Sequence, residues 1–141
     1  MKYLIIGHRD YTDYNMVVET MKWVIATYGA ATSYVCGRGG SLEEKRGADI
    51  LGELYANETG VPTIIKEANW KTYGRAAGPI RNSDMIAENP DVVVAFWNGD
   101  LNKKSGTRDC VIKALDKQTI PVVSVNVLTG ERIIYNDKVN V

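Results

Sequence analysis

Apolar residues in this chain come in short runs broken by polar, glycine-bearing stretches, and the most continuous run is Val92, Val93, Val94, Ala95 and Phe96, headed by Pro90. Such a run predicts a strand covered on both faces at the centre of a parallel sheet. Trp97 closes it and is read as structural. Residues 3–6 and 121–127 predict two more strands, 31–36 a weaker one and 63–66 a short one after Pro62. Between the first two strands in the chain, Met16, Val17, Met21, Val24, Ile25 and Tyr28 recur at helical spacing, from a cap at Asp13 to a stop at Gly29. Helical periodicity returns over 47–59, 79–88 and 108–118. Thr129-Gly130 reads as a turn into an antiparallel edge strand at 132–135. Residues 67–79 form the longest irregular stretch, and the last six residues carry no pattern.

Alternating strands and helices with short connections predict a mostly parallel sheet with helices on both faces and right-handed crossovers. Every strand-to-helix loop of such a sheet emerges at its carboxyl edge, where ligands bind. The loops at 7–10, 37–41, 67–78 and 98–107 are all of this kind. They are therefore expected to converge.

Composition narrows the partners. At 141 residues the chain is read as one domain over 1–141, long enough to bury about two thirds of its unfolded surface. Seventeen basic residues balance seventeen acidic ones, which disfavours duplex nucleic acid as a partner because that binding needs many phosphates neutralised together. An anionic ligand must be held locally. The apolar run near the start is too short for a signal-peptide core, and no segment approaches the roughly 18 apolar residues of a membrane span, so no membrane partner and a cytoplasmic location are expected. Cys36 and Cys110 lie far apart and the chain has one histidine, so neither a disulfide nor a metal site is expected, and no cofactor is assigned.

The candidate chemistry sits in the four loops. Ser105-Gly106-Thr107 leads into a helix, whose free N–H groups and macrodipole favour a phosphate or carboxylate by about 0.3–1 kcal/mol. Thr107 is expected both to cap that helix and to donate to the anion. Arg81-Asn82 supplies a forked cation and an amide. Gly37, Gly39 and Gly40 form a glycine loop that serves either as a phosphate cradle or as a plain turn; a Walker A motif is absent, which argues against phosphoryl transfer. Arg9 is a phosphate contact, Asp10 its holder, and His8 a polar group directly after the first strand. Asn98 and Gly99 open the loop after the central strand. Trp70 and Tyr73 are expected to stack on a base, and Asp49 to orient the glycine loop. The charged insertion within 37–46 is expected to shape the pocket or cover it.

Gly7-His8-Arg9-Asp10 with Asp13, Gly47-Ala48-Asp49, Asn69-Trp70, the run from Tyr73 through Gly78-Pro79-Ile80-Arg81-Asn82 with Met85, and Gly106-Thr107 resemble, in that order, the signature of the YspA-like branch of the SLOG superfamily. That superfamily includes the Smf/DprA proteins and the Lonely Guy phosphoribohydrolases. The resemblance implies a Rossmann-like α/β fold, a three-layer sandwich whose mostly parallel central sheet has about five strands plus a short C-terminal edge strand. It also implies a nucleotide-derived ligand at the carboxyl edge. Two departures bear on chemistry. Asn69 replaces the usual aspartate, and where Lonely Guy enzymes carry PGGxGTxxE the glutamate position holds Cys110.

Losing that carboxylate removes the main stabiliser of an oxocarbenium-like transition state. The expected function is therefore binding of a small nucleotide-type ligand, such as an ADP-ribose derivative or cyclic nucleotide signal, by a sensor or sequestering protein. Gly7, His8, Arg9, Asp10, Gly37, Gly39, Gly40, Trp70, Arg81, Asn82, Asn98, Gly99, Ser105, Gly106 and Thr107 are the expected ligand residues. The alternative is an N-glycoside hydrolase of Lonely Guy type using Asp109, Asp10 or Asp100. A homo-oligomer, dimer or higher, is expected because related folds often assemble.

Overall fold

The computed structural model describes residues 1–136, so five of the six patternless C-terminal residues lie outside the described residues. The chain is α/β. Its elements in order are β1 (Lys2–Gly7), α1 (Tyr14–Tyr28), β2 (Ser33–Cys36), α2 (Ala48–Glu58), β3 (Thr63–Ile65), α3 (Trp70–Tyr73), α4 (Ala77–Ala87), β4 (Val92–Trp97), α5 (Gly106–Asp116), β5 (Val122–Asn126) and β6 (Arg132–Tyr135). The six strands lie in one sheet in the order β3-β2-β1-β4-β5-β6. Its first five strands are parallel, and β6 runs antiparallel to β5, as its sequence predicts.

Alternation of side chains across each strand splits the core into two clusters. Tyr3 and Ile5 of β1 pack with Val94 and Phe96 of β4 and with Val17, Met21 and Val24 of α1 and Leu51 of α2. Leu4 and Ile6 face the other way, with Val93, Ala95 and Trp97, against Met85 of α4 and Val111 of α5. Because β4 feeds both clusters, all six of its residues are buried. That is why its sequence reads as a continuous apolar run. Trp97 ends the strand, as expected from its sequence, and its Nε1–H donates to Ser124 Oγ at 2.8 Å, which satisfies the indole inside the core.

Local chemistry accounts for several element boundaries. Asp13 caps α1, its Oδ1 accepting the Met16 N–H at 3.0 Å, and Gly29 ends the helix. Residues 67–79 are more regular than predicted: Asn69 Oδ1 accepts the Thr72 N–H at 3.1 Å and starts α3, and a 3-10 turn at Gly74–Ala76 carries the chain into α4. Pro79 sits within the first turn of α4, where a missing N–H costs nothing. The insertion after β2 is pinned at its neck by paired backbone bonds between Ser41 and Arg46. Gly40 makes that neck possible: at φ 118° it lies in glycine's region, and a Cβ there would be 2.1 Å from the Arg46 carbonyl oxygen. Among the described residues no helix is long and apolar enough to cross a membrane.

Candidate functional site

The chain leaves β1 toward β2 on one side and later returns to place β4 on the other, so the loops after β1 and β4 diverge and open a crevice at the carboxyl edge. A cleft of about 630 Å³ occupies this place. Its walls come from the loop after β1, the starts of α2 and α4, the face of Trp70, and the first turn of α5.

Arg81 is the best-defined group in it. The residue is only 8% exposed. Its Nε donates to Asn82 Oδ1 at 3.0 Å and its Nη1 to the Gly37 carbonyl at 2.7 Å, while Nη2 has no hydrogen bond among the described residues. A buried guanidinium left one nitrogen short is a strong anion seat. Asn82 continues the network: its Nδ2 donates to the Gly106 carbonyl and to Asp109 Oδ2, both at 3.0 Å. Two adjacent residues of α4 thereby tie the loop after β2 to the start of α5.

The α5 terminus is set by Ser105 rather than Thr107. Ser105 Oγ accepts the Arg108 N–H at 3.0 Å and its carbonyl accepts the Asp109 N–H. Its extended backbone fits the cap position, whereas Thr107 already lies inside the helix and is buried. The Gly106 and Thr107 N–H groups have no hydrogen bond among the described residues, and a Cβ on Gly106 would meet only open space. The cleft side of this helix end is open to an anion.

Charge favours the same guest. The chain has no net charge, yet the cleft is lined by Arg9, Arg75, Arg81, Lys104 and Arg108 against Asp49 and Asp109. Asp49 orients the glycine loop as expected: its Oδ2 accepts the Gly39 N–H at 2.9 Å. Burial pushes its carboxyl up to about 6, against the opposing pull of Arg81, the Gly39 N–H and Arg9. Arg9 does not rest on Asp10; its guanidinium lies over the Trp70 ring, 5.1 Å from the centroid. His8 Nε2 accepts the Asn98 N–H at 3.1 Å, which places the proton of the neutral ring on Nδ1.

Asp109 Oδ2 is held by Asn82 and by Lys113 Nζ at 2.8 Å, and Lys113 Nζ also reaches the Pro79 carbonyl. Cys110 lines the cleft beside it, 1% exposed. Burial pushes the Cys110 thiol up to about 12, with Asp49 adding to the rise, so it is protonated at neutral pH and does not replace a carboxylate.

Of the residues expected from sequence, Gly7, His8, Arg9, Gly39, Trp70, Arg81, Asn82, Ser105, Gly106, Thr107 and Asp109 line this cleft. Gly37 and Gly40 line an adjoining cavity of about 290 Å³. Asp10, Asn98 and Gly99 line neither. Asp10 is exposed within the turn closed by the Tyr11 N–H on the His8 carbonyl, and Asn98 Oδ1 folds back to accept the Asp100 N–H. Sequence reasoning missed Arg75, Lys104 and Arg108. Lys104 and Arg108 flank Ser105-Gly106-Thr107, and Arg75 stands inside the run that carries the SLOG resemblance, so a signal was present. Nothing in composition separates them from solvated surface charges.

No family model matches the sequence, and no solved structure matches the chain. A "Gene 61 protein" of Mycobacterium phage D29 is 34% identical over 84 residues, which is 56% of this chain and 64% of that protein. The chain thus spans less than two thirds of the length of this relative.

Proposed function

We propose that the chain is a YspA-like member of the SLOG superfamily with a Rossmann-like three-layer architecture, and that it holds a small phosphorylated nucleotide derivative in the cleft between β1 and β4. Arg81 carries the reading: a buried guanidinium fixed through two nitrogens, with the third unbonded, beside the open N–H groups of Gly106 and Thr107. Its phosphates sit between Arg81 and the α5 terminus, and its base stacks against the Trp70 side of the cleft. Holding without cleavage suits a sensor or a sequestering protein.

A second reading rests on Asp109. Its Oδ1 has no hydrogen bond among the described residues and the residue lines the cleft. A carboxylate there would stabilise a sugar cation while water adds to the anomeric carbon and the base departs with a proton. Binding is preferred because Lys113 already neutralises Asp109 and Cys110 offers no second carboxylate.

Calorimetry with ADP and ADP-ribose tests the proposal. Arg81→Ala is expected to weaken binding by about 1.5–3 kcal/mol, the usual cost of losing a charged hydrogen bond. Circular dichroism of the variant establishes that it is folded, and an unchanged affinity in the folded variant removes Arg81 from the site. The same incubations, denatured and analysed by mass spectrometry, are expected to return intact nucleotide. Release of free base that Asp109→Asn abolishes would establish cleavage instead.

A further inference from the structure

The adjoining cavity of about 290 Å³ lies just below the usual range of small-molecule sites, about 300–1,000 Å³, and is small for a separate site. It does not stand apart. Arg9, Gly39, Trp70 and Arg81 line both cavities, so the wall between them is made of two guanidinium groups, a glycine and an indole face. Those are groups that hold phosphates and ring systems.

The two sides of that wall differ in charge. On the main side Arg75, Lys104 and Arg108 are added. On the far side the one further cation, Arg38, is spent: Nε and Nη2 donate to Glu53, both at 2.9 Å, and Nη1 donates to Glu67 Oε1 at 2.7 Å. Leu42, Ile50 and Ala68 supply apolar surface there. Glu67 Oε2 has no hydrogen bond among the described residues, and its side chain is 60% exposed. A carboxylate oxygen free to accept, beside apolar carbon and neutralised charge, suits an uncharged hydroxyl-bearing group such as a sugar. It does not suit a second phosphate.

We infer that the adjoining cavity is a second subsite of the same site, taking the terminal sugar of a ligand whose pyrophosphate lies against Arg9 and Arg81. This rests on the nucleotide-binding reading above and narrows it: the site selects a two-lobed, pyrophosphate-bridged nucleotide over a mononucleotide or a simple diphosphate.

ADP and ADP-ribose differ by one ribose on the terminal phosphate, which also lowers the negative charge, so the second subsite is read from the ratio of their calorimetric affinities together with the change in that ratio when the far side is altered. ADP-ribose is expected to bind at least about fivefold tighter, within what a few well-placed polar contacts contribute. Two substitutions at the far side, Ala68→Phe to fill it and Glu67→Gln to weaken its acceptor, are expected to cut that ratio at least by about half. A smaller native ratio, or a native ratio retained by both variants, overturns the second subsite while leaving nucleotide binding in place. Absence of binding by either compound overturns both readings.

Discussion

Asp49 shows how one side chain links stability to the state of the site. It is 5% exposed, accepts the Gly39 N–H and carries a carboxyl raised to about 6, chiefly by desolvation. The folded protein therefore binds this proton more tightly than the unfolded chain does. Its protonated form adds stability at low pH, and that contribution is lost as pH rises from the ordinary carboxylate value toward 6. Asp49→Asn removes the titration. The stability of the variant relative to the native protein is thus expected to improve between pH 4 and pH 7, by up to about 3 kcal/mol, in urea unfolding at the two values. A difference that stays flat or moves the other way would show that Asp49 is not desolvated as described. The orienting role of this residue was legible from its place beside a glycine loop. Its burial was not, because an aspartate near a helix start is ordinarily solvated.

Helix α5 turns a loop residue into part of the site. The pattern of Val111, Ile112, Ala114 and Leu115 announces a helix, but periodicity has no power over the first turn, where capping decides the boundary. Ser105 takes the cap because its extended backbone lets Oγ reach the Arg108 N–H, and the helix begins two residues earlier than the apolar spacing implied. Ser105→Ala is expected to lower stability by about 1 kcal/mol, read as a drop in the thermal midpoint. No change would move the cap elsewhere. The segment at 67–79 was opaque for a related reason: α3 and the turn after it bury no residue, so no apolar period marks them. Asn69 organises α3 through one side-chain bond, and the amide serves as a cap where the resembled family usually has aspartate.

The assembled sheet makes a cationic cleft out of a chain without net charge. Five basic groups come from the loop after β1, from the segment before α4, from α4 itself and from the two ends of the turn into α5. They meet because parallel strands with right-handed crossovers send every one of those loops to the same edge. If phosphates are held there, ADP affinity is expected to fall about three- to tenfold between 0.05 M and 0.5 M salt, since the open mouth of the cleft is screened. Calorimetry across that range checks it, and an affinity constant within twofold would show that long-range charge does not contribute. The α/β class, the central place of β4 and the antiparallel edge at β6 follow from runs and periods that neighbouring residues carry among themselves. Convergence of the loops at one rim follows from the class. What required folded coordinates was the partnering of side chains: Arg81 on the carbonyl of Gly37, 44 residues away, and Arg9 on Trp70 instead of Asp10. Hydrophobic spacing fixes which face of an element is buried, but which donor finds which acceptor depends on distances of a few tenths of an ångström between elements, and packing alone sets those.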